Sequence, residues 1–262
     1  MVNTTITKEI LLNYKTYLKM KKIFIITTAL FLLSSCSKAP EYGKNVLDLN
    51  NFDFKLNLDE FFKDENVFRG KTDYSISSEE QSIKNSSVQQ DYIQYSTVSM
   101  SKKRPLASFA NVKFESLGLC SDENDEKVLL VSAQTDYATP TDIIKIIDQL
   151  NKDFGEAEIK DIGGNGDELI LRWAKGDKIS IFSVRIPFTL ESASNENSAH
   201  DYYSHSDEDK KKEKFNNSLY QQLKDKIKEE KEVKCTLFFS KADFDKALDQ
   251  ASSYSGDLTS YR

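Results

Sequence analysis

Apolar and polar residues alternate in several stretches of this 262-residue chain. Period two is the signature of a strand with one buried face. In "NFDFKLNL", Phe52, Phe54, Leu56 and Leu58 fall on one side, which predicts a strand. "DYIQYSTVSM", with Tyr92, Tyr95, Thr97 and Val98, is rich in strand-forming types. Phe109 to Leu119 and Val128 to Ala133 read as two more strands, and the polar turn "SDENDEK" between them makes a hairpin. "ELILRWA" and "KISIFSVRI" form another hairpin across "KGD". In "VKCTLFF", Val233, Cys235, Leu237 and Phe239 share a face. The Ser-rich stretch 75–90, "SISSEEQSIKNSSVQQ", reads as a loop.

Helical spacing appears in three places. Ile143, Ile146, Ile147, Leu150 and Phe154 recur at intervals of three and four. Thr139, Pro140, Thr141 and Asp142 supply a capped start, and Gly155 a stop. Phe215, Leu219, Leu223 and Ile227 mark a charged helix from about Glu213 to Glu230 with a narrow apolar stripe. A short last helix carries Phe244, Ala247 and Leu248 after Ser240, a suitable N-cap. Residues 191–212, "ESASNENSAHDYYSHSDEDKKK", are polar and without period, and read as a mobile insertion. No strict βαβ alternation appears. The expected architecture is α+β: a mainly antiparallel sheet with helices packed on one face.

A different pattern occupies the front. Lys21 and Lys22 precede an apolar run of eleven residues, Ile23 to Leu33, which ends in Leu33-Ser34-Ser35-Cys36. A bilayer-spanning helix needs ~20 apolar residues, whereas a short run behind a basic flank suits a secretory signal. The segment resembles the lipobox of bacterial lipoprotein precursors. That resemblance covers about twenty residues and implies cleavage before Cys36 and lipid on its sulfur and amino group. Met20 would begin a signal of ordinary length, so Met1 and Met20 both stand as starts. On this reading residues 1–35 are removed, residues 36–50 hold the lipidated cysteine and a flexible tether, and residues 51–262 form a single domain. Ser37 lacks the aspartate that resembles an inner-membrane retention signal, which points to the outer membrane of the cell envelope.

Charge narrows the partners. The whole chain carries -6; the first 35 residues hold five lysines and one glutamate, so the remainder stands near -10. Such a surface disfavours nucleic acid, whose phosphates are held by Lys and Arg. The basic cluster Lys102-Lys103-Arg104 reads as a solvated loop.

Candidate chemistry is sparse. Both histidines lie in "AHDYYSHSDED", where His200, Asp201 and His205 are weak candidate metal ligands in a segment without a rigid frame. Cys120 and Cys235 form an even pair that an oxidising envelope would allow to bridge; as an alternative, each is a small apolar residue in its own strand. "DIGGNGDE" is no phosphate-cradling loop, since no Lys-Ser or Lys-Thr follows. No G-x-S-x-G occurs. Trp173 reads as core, sharing a strand face with Leu169 and Leu171. No cofactor is called for. The expectation is a lipid-anchored envelope protein, more a binding or scaffolding module than an enzyme, whose partners are the membrane and an unidentified protein or glycan. The alternatives are an immunity-type inhibitor of an envelope toxin, and a glycan hydrolase working through paired carboxylates.

Overall fold

The structure, a computed structural model, describes residues 40–63, 74–84, 89–99, 104–124, 127–162, 168–191 and 214–249. Its frame is an eight-stranded sheet in which every neighbouring pair is antiparallel. The strands are β2 (Tyr74–Lys84), β3 (Gln89–Ser99), β6 (Ser116–Asp122), β7 (Val128–Ala138), β8 (Glu158–Ile162), β9 (Glu168–Lys175), β10 (Lys178–Arg185) and β11 (Val233–Lys241). Their order is β2-β3-β6-β7-β11-β10-β9-β8. Two meanders, β2-β3-β6-β7 and β8-β9-β10, are therefore joined through the last strand. β11 is buried along most of its length, as its central place requires. A second, three-stranded sheet contains β1 (Leu47–Asp48), β4 (Ala107–Phe109) and β5 (Val112–Phe114).

Helix α1 is Leu58–Phe61, α2 Pro140–Phe154, α3 Asn217–Ile227 and α4 Ala242–Asp249. The α+β class and the antiparallel sheet expected from the pattern are both present. Among the described residues, no helix is long and apolar enough to cross a membrane.

α2 forms where its sequence signals lie. The Thr139 side chain accepts from the Asp142 amide, and Asp142 Oδ2 accepts from the Thr139 amide, a reciprocal cap. Gly155 follows at φ +97°, a conformation that L side chains rarely adopt. Ile143, Ile146, Ile147 and Leu150 are buried against one sheet face. Leu219, Leu223 and Ile227 of α3 join the same core, with Leu117, Val131, Leu171, Phe182 and Leu237 below them. α4 lies on the opposite face. Its Phe244, Ala247 and Leu248 pack with Tyr92, Leu130, Ile179, Ile181 and Phe238. The side chains of β11 explain the two cores: Leu237 and Phe239 enter the first, and Phe238 between them enters the second.

Five expectations are corrected. The tether is shorter than 36–50, because Tyr42, Leu47 and Leu49 are buried and β1 pairs with β4. Tyr42 donates its amide to the Phe61 carbonyl at 2.8 Å and packs on Phe61 and Phe62. The stretch 52–58 is no strand: Phe54 stands at φ +65°, turning the chain, and Asn57 caps α1 through the Glu60 amide. The polar stretch from residue 75 is strand β2, not loop; as an edge strand it needs only β3 as partner. Finally, 109–119 is not one strand. Ala110 and Asn111, at φ +50° and +63°, fold β4 back on β5 before β6 begins. The charged helix is also shorter than read, since Asn216 caps it and leaves Phe215 outside.

Candidate functional site

A small cleft of ≈ 110 Å³ opens on the sheet face that carries α4, lined by Glu168, Ser183, Arg185, Lys234, Cys235 and Thr236. Strand alternation builds it. On β10, Ile179 and Ile181 lie in the α4 core, so Ser183 and Arg185 continue the same face. On β11, Phe238 does the same for Thr236 and Lys234. On β9, Ile170 places Glu168 there. The register sets Ser183 opposite Thr236, and Glu168 opposite Arg185. The floor is thus two buried hydroxyl side chains, Ser183 and Thr236. The rim is a row of three charges across three strands.

The electrostatics of that row are uneven. Val184 faces Cys235, so the next pair outward is Arg185 and Lys234, two cations on adjacent strands. Like charges placed directly opposite are destabilising. Glu168 is the neighbouring carboxylate, yet its Oε1 accepts from Ser183 Oγ. Neither Arg185 nor Lys234 has an ion-pair partner among the described residues.

A second, wider groove of ≈ 490 Å³ lies at the end of the β2–β3 hairpin, with Glu80, Asp91 and Glu123 among its lining residues. Asp91 there accepts from Ser82 Oγ at 2.5 Å.

Two other charged groups act as fasteners. Lys178 Nζ donates to the Phe52 carbonyl at 2.7 Å and lies 4.3 Å from the Phe239 ring centroid. Burial pushes its pKa below the ordinary lysine value, against the pull of Asp153, Asp53 and Asp177. Arg172, on the face of α4, bonds Asp245 at 2.9 Å and Glu158 at 3.4 Å. Burial opposes its charge, and Asp245 outweighs that, leaving its pKa raised.

The residues singled out in sequence have different fates. Cys36, His200, Asp201 and His205 lie outside the described residues. Among the described ones, no group of three His, Cys, Asp or Glu is placed to hold a metal. The candidate Cys120–Cys235 bridge is corrected: both are buried thiols. Cys120 belongs to the α4 core and Cys235 to the α2 core, so their side chains point to opposite faces of the sheet. Burial pushes the Cys235 thiol well above its ordinary pKa, which suppresses the thiolate. Trp173 is core, as read, and its Nε1 donates to Asn151 Oδ1 at 2.9 Å.

Sequence reasoning missed Glu168, Ser183, Arg185 and Lys234. Alternation alone would put Arg185 and Lys234 on the face away from Val184 and Cys235. Only the pairing of β10 with β11, distant in sequence, makes them neighbours.

No protein-family model matches the chain, and no curated protein or solved structure matches it significantly.

Proposed function

We propose that this chain is a bacterial lipoprotein, anchored through Cys36 in the cell envelope on the outer membrane, where its domain serves as a binding module. The observation that carries the reading is the ordered set Lys21-Lys22, the apolar run to Leu33, and Leu33-Ser34-Ser35-Cys36. A binding role suits the polar cleft, which combines buried hydroxyls with charges at its rim.

The test is metabolic labelling with palmitate in the native host. Cys36→Ser abolishes label and leaves the precursor uncut. Equal labelling of wild type and variant would overturn the anchor. Two or more acyl chains hold a protein stably on a bilayer, whereas one is marginal, so the cut, labelled wild type floats with membranes.

A further inference from the structure

The cleft breaks a local rule of sheet construction. A cross-strand pair of opposite charges stabilises, and a pair of like charges does the reverse. Here the register, continued one step past Val184 and Cys235, brings Arg185 and Lys234 together at the ends of β10 and β11; Glu168 lies opposite Arg185 on β9, yet among the described residues it forms no ion pair with it and accepts from Ser183. Places where a sequence departs from local consistency without a compensating contact are where function is to be sought. An anion between the two cations supplies the missing compensation.

We propose that the Arg185–Lys234 cleft binds a small monocarboxylate, its carboxylate held by Arg185, Lys234 and the Thr236 hydroxyl, beside the Ser183–Glu168 hydrogen bond. Size and charge both select this class. A volume of ≈ 110 Å³ matches a group of a few heavy atoms. The two cations and Glu168 leave one net positive charge at the rim, which a monoanion neutralises and a dianion exceeds. Arg offers a planar fork matched to a carboxylate, and Lys a mobile point charge beside it. Glu168 accepts only, so it faces a ligand hydroxyl or ammonium on the carbon next to the carboxylate. A small hydroxy or amino acid meets Arg185, Lys234, Thr236 and Glu168, and acetate meets all of these but Glu168.

This deepens the binding role proposed above and rests on it, but not on the anchor. Calorimetric titration of the purified full chain in detergent, with acetate, lactate and glycine, tests it, with sodium chloride as the ionic-strength control. The expected result is saturable binding of the carboxylates, lactate or glycine tighter than acetate, and no saturation with chloride. Arg185→Gln and Lys234→Gln each weaken binding at least tenfold. Both side chains are exposed, and each variant keeps or raises the thermal midpoint in ligand-free, low-salt buffer, because the like-charge contact is relieved. Absence of saturable binding, or equal binding by both variants, overturns the site. Sulfate binding more tightly than lactate overturns the monocarboxylate class. Palmitate labelling is untouched by any of these results, so the anchor and the ligand class fail separately.

Discussion

Arg172 of β9 and Asp245 of α4 meet at 2.9 Å across the boundary between sheet and helix, both mostly buried. The pair fixes a helix of only eight residues, too short to hold its shape in water without tertiary support. Lys160 and Asp249, 2.9 Å apart, repeat the tie near the helix end in a more exposed setting.

Asp245→Ala is therefore expected to cost about 3 kcal/mol of unfolding free energy, since it leaves a largely buried guanidinium with only the longer Glu158 contact. Arg172 Nε already lacks a hydrogen-bond partner among the described residues. Lys160→Ala, at the exposed tie, is expected to cost less than about 1 kcal/mol. Urea unfolding of the two variants gives the comparison; equal losses would show that α4 is held by Phe244 and Leu248 alone.

Lys178 makes a prediction about pH. Its folded pKa lies below the ordinary 10.5, so above that folded value the unfolded chain binds more protons than the native one. Stability from this group then rises with pH up to about 10.5. Lys178→Met keeps the apolar packing on Phe239 and removes the proton. The stability difference, wild type minus variant, is expected to grow as pH goes from 8 to 10. A difference that falls over that range contradicts the burial of the ammonium. Tyr92, with its pKa raised by burial to about 12, acts in the other direction only above pH 10 and is common to both proteins.

The two thiols give the third test. Native protein is expected to react with neither equivalent of an aromatic disulfide reagent, because Cys120 and Cys235 are buried. After unfolding, two thiols titrate if Cys36 is acylated and three if it is not. Reductant leaves the thermal midpoint unchanged; a drop of several degrees would indicate a bridge that opposite sheet faces rule out.

What the sequence disclosed was local. Thr139, Pro140 and Gly155 all act within a turn of the residue they govern, so α2 was readable to its ends. β2 was hidden because its hydrogen bonds, not its side chains, place it: as an edge strand it tolerates "SSEEQS" on its surfaces. The Phe52–Leu58 alternation misled because Phe54 turns at positive φ, a property of the packed chain around Lys178 and not of residue type. The cleft was invisible for a related reason. Glu168, Arg185 and Lys234 gain meaning only when β11 is inserted beside β10.

The burial of Tyr42 also sets a leash. Tyr42 lies six residues past Cys36, with five residues between them, and an extended chain covers at most ~3.6 Å per residue, so about 20 Å. A domain of this length has a radius of gyration of about 17 Å. On the proposed anchor at Cys36, the near side of the domain would stay within about 20 Å of the bilayer. On that mooring, ligands and macromolecular partners would meet the domain close to the bilayer surface.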